Sequence, residues 1–197
     1  MAAEKKRQIA PREKMTKVLQ VARELFVDKG YHNVSIPAIV EASGVSTGAI
    51  YSYFANKESL ARQIHEDTLN EFQMMFQQRL EHVTTIREKL EAFAQLCFDI
   101  AESDPVMMEY MLFMKHAEFI SEATPICFTE PFTKVRQIIQ QGMDAGVLRK
   151  QDVYPAAISY TGVVLRAVEL RFLCIIDTPL QEIAPDLFEN AWAAIKK

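Results

Sequence analysis

Eight residues in one short stretch, Ser35, Ser46, Thr47, Gly48, Ala49, Tyr51, Tyr53 and Lys57, are small, hydroxylic or cationic, the types suited to touching a nucleic-acid duplex. A helix that enters a major groove about 12 Å wide needs small residues where its backbone comes nearest the bases. Ser46, Thr47, Gly48 and Ala49 meet that need, and Thr47 and Ala49 also suit contact with thymine methyls. Tyr51 and Tyr53 hold hydroxyls on stiff rings that reach phosphate oxygens. Lys57 adds a cation at the start of a helix, where free N–H groups already favour an anion. Ser35 takes the equivalent place on the preceding helix.

The whole chain would repel a polyanion, since its 197 residues carry a net charge of −4. Division resolves the conflict. Residues 1–63 hold ten Lys and Arg against six acids, a net of +4, and the remainder holds twelve against twenty, a net of −8. A polyanion-facing module carried on an acidic body has this asymmetry. Lys5, Lys6 and Arg7 would extend the basic part as an arm.

With 49% hydrophobic and 24% charged residues and six glycines, the composition is that of a soluble globular protein. The N-terminal MAAEKKRQIAPREK lacks the apolar centre of a secretory leader, and no apolar run approaches the ~18 residues of a membrane span, so a cytoplasmic protein without a membrane partner is expected. Cys97, Cys127 and Cys174 lie far apart in apolar neighbourhoods and read as reduced core residues. Without paired ligands at short spacing, no metal or cofactor is expected.

The elements that must position the eight residues read at helical period. Val18, Leu19, Ala22, Leu25 and Phe26 mark a helix over about 14–28 that Gly30 stops. Ser35 caps a second, with Pro37 in its first turn and Ile36, Ile39 and Val40 inward. Ser43, Gly44 and Val45 form a turn in which glycine can take positive φ. Ser46 caps a third helix through Phe54, with Val45 and Ile50 holding it to the core. Asn56 opens a fourth that runs past Gln78. Further helical patterns cover about 85–102, 104–121, 129–145, 152–176 and 180–196, and no alternating strand is evident. The expected fold is all-α, a helix-turn-helix domain over 1–55 with a larger helical domain over 56–197.

Residues 14–62 resemble the DNA-binding domain of TetR-family transcriptional regulators. They carry an Ala-x-x-Leu-Phe helix, a Gly-Tyr step, a Ser-capped second helix, a Gly-Val-Ser turn, Tyr-x-x-Phe and Lys-Glu-x-Leu, and depart at Pro37. The resemblance covers about a quarter of the chain. It implies a repressor or activator, usually dimeric, whose C-terminal domain binds a small molecule that alters affinity for operator DNA. It also implies that Ser35, Thr47, Gly48, Tyr51, Tyr53 and Lys57 contact the duplex.

In the acidic part, residues 152–176 are apolar around most of a helix circumference, which calls for cover on several sides. The last helix carries an apolar stripe through Phe188, Trp192 and Ile195. Val164, Val168, Phe172, Phe188, Trp192 and Ile195 are therefore the expected homodimer contacts, and a two-fold dimer would read a palindromic double-stranded operator. The segment PVMMEYMLFMKHAEFI gathers methionines and aromatics on a single helix. Methionine adapts to varied shapes, so Met107, Met111 and Met114, with Phe93, Cys97 and Tyr160, are candidates to line a site for an apolar or amphiphilic effector. His116 and Arg166 would give it polar handles. No hydrolase elbow, paired-histidine motif or phosphate-cradling loop occurs, and an enzyme is not expected. The competing reading is a helix-turn-helix protein controlled by protein partners with no small effector.

Overall fold

The structure, a computed structural model, describes residues 11–197, so Lys5, Lys6 and Arg7 lie outside the described residues. The fold is all-α, and among the described residues the only β pairing is an isolated antiparallel bridge between Leu148 and Lys196. The chain forms two compact units: residues up to Glu66 with Lys115–Ser121, and Asp67–Met114 with Glu122–Lys197. The boundary expected after residue 55 falls just before a helix that serves both units. The first unit extends eleven residues further and takes in a distant segment.

In the first unit, helix α1 (Pro11–Lys29) turns Met15, Val18, Ala22 and Phe26 inward at spacings of three and four. Helices α2 (Ile36–Ser43) and α3 (Thr47–Tyr51) follow. Helix α4 (Lys57–Leu80) gives Leu60, Ala61 and Ile64 to this unit and Phe72 and Phe76 to the other. Phe54, expected as the end of α3, lies beyond it, because Ser52 closes the helix and the amides of Tyr53 and Phe54 both donate to the Ile50 carbonyl. Phe54 is buried in the core.

The second unit adds α5 (Ile86–Ser103), α6 (Pro105–Phe113), α7 (Glu130–Asp144), α8 (Val153–Phe172) and α9 (Leu180–Ala193). Thr85 and Glu88 form a reciprocal capping box on α5, Asp104 caps α6 and Asp152 caps α8, satisfying amides that have no partner within their own helices. Phe93 lies at the centre, with ring centroids of Phe76, Phe132, Phe72 and Tyr160 between 5.3 and 6.3 Å away. Arg171 of α8 pairs with Glu102 of α5 at 2.8 Å, and Arg79 of α4 with Asp99 of α5 at 2.7 Å. At Gly142 a Cβ would come within 2.7 Å of Leu148 and 2.8 Å of Ile86, so only glycine lets α7 pack this closely.

Two expectations need correction. The methionine-rich segment is not one helix: α6 ends at Phe113, Met114 adopts extended backbone, and a separate 3-10 turn spans His116–Glu118. Only Cys97 is a core cysteine. Cys127, in the 3-10 turn Ile126–Phe128, and Cys174, just beyond α8 with a φ of 54°, are exposed.

Candidate nucleic-acid interface

The turn between α2 and α3 is set by local chemistry. Ser35 Oγ accepts from the Ala38 amide at 3.3 Å and starts α2. Gly44 ends that helix with a φ of 70°, a left-handed conformation that a side chain would strain. The buried Ser43 Oγ accepts from the Val45 amide at 3.2 Å, and Ser46 Oγ caps α3 by accepting from the Ala49 amide at 3.4 Å. Ile50 and Val45 are buried at 0% and 8% exposure, so the inner face of α3 is fixed to the core.

The opposite face is bare. Ser46, Thr47 and Gly48 are exposed, Ala49 is half-buried, and the Tyr51 and Tyr53 rings are 52% and 54% exposed. No atom lies within 4 Å of where a Gly48 Cβ would stand, so nothing in the chain itself demands glycine there. Ser35 is also exposed, at the start of α2. The structure thus places seven of the eight expected residues on α3, at its ends or at the cap of α2, with polar groups or small side chains facing outward.

Lys57 differs. Its ammonium donates to the carbonyls of Tyr31 and Val34, both at 2.9 Å, and lies 4.0 Å from the centre of the Tyr31 ring. Partial burial lowers its pKa. The cation expected at a phosphate is engaged in tying down the backbone ahead of α2. Its acceptors lie 26 and 23 residues upstream, so helical spacing gave no sign of this role.

The expected effector residues separate. Phe93, Cys97, Met107, Met111 and Tyr160 are at most 2% exposed in the packed core of the second unit, where burial raises the Cys97 thiol pKa and the Tyr160 hydroxyl donates to the Leu90 carbonyl. Met114 is half-buried at the break after α6. His116 belongs to the first unit, its ring 4.3 Å from His65, because extended backbone at Met114 carries the chain away from α6. Arg166 is exposed and pairs with Glu169 at 2.6 Å. A cleft of about 200 Å³ that sequence reasoning missed lies between α6 and α8, lined by Glu109, Phe113, Glu169, Phe172 and Leu173. The one available signal was that Glu109 and Phe113 share a helix face.

Of the expected dimer residues, Val164, Val168, Phe188 and Ile195 are at most 1% exposed, Trp192 is 8% exposed, and Phe172 is half-buried beside Phe113. These side chains fill the chain's own core, with α5, α7 and α9 covering the inner side of α8. The apolar residues left uncovered on and after α8 are Tyr154, Ile158, Leu173 and Ile175.

Among the described residues, no group of three His, Cys, Asp or Glu side chains could hold a metal ion, and no helix is long and apolar enough to cross a membrane.

Residues 18–64 match the family model described as bacterial regulatory proteins, tetR family. Over 144 residues the chain is 24% identical to the HTH-type transcriptional repressor KstR2 of Mycolicibacterium smegmatis, covering 71% of this chain and 69% of that protein. It is 27% identical over 93 residues to the fatty acid metabolism regulator protein of Bacillus subtilis, 47% of this chain and 48% of that one. In fold it resembles the regulator FadR of Bacillus subtilis, solved in complex with stearoyl-CoA, with a TM-score of 0.77 at 19% identity over 91% of this chain and 98% of that one. A TetR family regulator from Marinobacter aquaeolei VT8 superposes with the same TM-score at 19% identity, covering 93% and 96%.

Proposed function

Because the chain belongs to the TetR family of transcriptional regulators, we propose that it is a dimeric repressor that reads a palindromic operator through α3 and is controlled by an amphiphilic small molecule bound in the C-terminal unit. The observation that carries this reading is the division of α3 into two faces. Ile50 anchors one, while Thr47, Gly48 and Tyr51 leave the other open to a groove. Phosphate contacts from Tyr51, Tyr53 and the Ser35 hydroxyl would set register, and Thr47 and Ala49 would meet base edges.

Pairing through α8 is supported by Tyr154 and Ile158, one turn apart and exposed, with half-buried Leu165 on the same face. For the effector, a long-chain acyl thioester is the class to test first. A fold relative holds stearoyl-CoA, and a sequence relative regulates fatty acid metabolism. The methionine- and phenylalanine-rich core of the second unit is soft enough to admit a chain by repacking. The ligand would act by preferring one of two states with different DNA affinity.

Fluorescence anisotropy on a duplex enriched by random-sequence selection, with and without stearoyl-CoA, tests the proposal. A change in affinity of about tenfold is expected, within the usual range of coupling between two sites. Unchanged affinity at ligand concentrations that raise the melting temperature would favour control by a protein partner instead.

A further inference from the structure

Lys115–Ser121 follows α6 in the chain yet is part of the DNA-reading unit. It is held at four points. Phe119 stacks on Tyr31, with ring centroids 4.2 Å apart and planes 13° from parallel. Ile120 is buried at 2% exposure, and the His116 ring packs 4.3 Å from that of His65. Ser121 Oγ accepts from Arg62 and donates to Glu58, each at 3.2 Å, closing a triangle with the Arg62–Glu58 pair.

Tyr31 links this segment to the reading helices. Its ring meets Phe119 and also lies 4.0 Å from the Lys57 ammonium, which holds the carbonyls of Tyr31 and Val34. Val34 immediately precedes Ser35, whose hydroxyl starts α2. The Lys57 ammonium and the carbonyls of Tyr31 and Val34 are therefore satisfied as one assembly beside the start of the helix-turn-helix, and the Phe119–Tyr31 stack braces its aromatic side.

We infer that Lys115–Ser121 is a latch on the reading head, in which Phe119 steadies the Tyr31–Lys57 clamp and so fixes the backbone from which α2 and α3 are presented. Lys57 is in this view a positioning residue that acts through the carbonyls of Tyr31 and Val34. The latch is seven residues long and has one fully buried aliphatic side chain, so it can open without unfolding the unit that it holds. Met114 joins it directly to α6, which makes covalent connection the route by which a shift of α6 reaches the head.

The inference rests on the proposed DNA-reading role, and its test separates the two. In the full-length protein, Phe119→Ala, Phe119→Leu and Phe119→Tyr are compared by amide hydrogen exchange over residues 31–50 and by affinity for sheared mixed-sequence duplex DNA across a salt series. Phe119→Ala and Phe119→Leu should speed exchange at 31–36 and weaken DNA binding about five- to tenfold. The slope of log affinity against log salt should stay unchanged, because no phosphate contact is lost. Phe119→Tyr, which keeps the stack, should behave as the parent. Lys57→Met should match Phe119→Ala, again with the parental slope. Parental exchange at 31–36 in a folded Phe119→Leu variant overturns the latch, as does faster exchange with undiminished DNA binding. A slope reduced by about one in Lys57→Met overturns the positioning role of that lysine. A parent protein that binds no duplex would contradict the DNA-reading role, and the exchange data would still decide whether Phe119 holds the clamp.

Discussion

The reading head and the C-terminal body dispose the residues that the sequence marks out for contact in opposite ways. In the head, tyrosines and small residues at helical spacing are turned outward, with Tyr51 and Tyr53 more than half exposed and Gly48 facing open space. In the body, Tyr160, Phe93, Val164 and Phe188 are turned inward and nearly dry. The head is too small to bury everything apolar, so its outward face is chosen by local caps and one tight turn. The body has enough helices to surround α8 on one side, so apolar character there marks core first and contact surface second.

The sharpest way to separate the two regions is a pair of substitutions. Gly48→Leu meets no neighbour within the chain, so the melting temperature should hold, while affinity for an enriched duplex should fall to the non-specific level, roughly a thousandfold or more. Phe93→Ala should cost about 3–5 kcal/mol of stability through the cavity that it leaves among Phe72, Phe76 and Phe132. Urea titration followed by Trp192, the single tryptophan, reports that loss from inside the body. A Gly48→Leu variant with normal affinity would end the distinction.

Acid should divide them next. Burial, and then the charge of His65, lower the His116 pKa from 6.5 to about 4, and burial lowers that of His65 as well. The folded head therefore binds fewer protons than the unfolded chain between those values. Its stability is complete above pH 6.5 and is lost as pH falls towards 4, by something on the order of 3 kcal/mol for His116. In the body, hydrogen bonding from Arg171 lowers the Glu102 pKa below 4.5, so that contribution persists until pH falls beneath 4.5. Between pH 6.5 and 4.5, amide exchange over residues 58–66 should accelerate while Trp192 fluorescence stays constant. His116→Gln should flatten the exchange profile.

The smallest effect on stability should come from the uncovered face of α8. Ile158 is 68% exposed, so Ile158→Lys should leave monomer stability within about 0.5 kcal/mol. Sedimentation should nonetheless shift from dimer towards monomer. A variant that sediments as the parent does would move the interface off this face.

Most of the head was legible because its signals are short-range. Ser35, Gly44 and Ser46 announce caps and a turn within four residues of the groups that they satisfy. The clamp was hidden because Lys57 reaches carbonyls of a preceding loop, which no periodicity encodes. Helix α6 looked longer than it is, since Met114 and Lys115 are ordinary helix formers and its end comes from tertiary placement of Phe119 and Ile120. That Val164, Val168, Phe188 and Ile195 lie in the chain's own core was hidden for a related reason. An apolar circumference says that a helix is covered, and only the positions of α5, α7 and α9 say which side is covered by its own chain.

The central claim is that α3 presents Thr47, Gly48 and Tyr51 to duplex DNA from a two-fold dimer. Selection from a random duplex library at low salt, run in parallel on the parent and Gly48→Leu, tests it most directly. The parent should enrich an inverted repeat with half-sites about one helical turn apart, or a multiple of it, and Gly48→Leu should enrich nothing. Enrichment of no sequence by the parent, or of the same sequence by both proteins, would contradict the claim.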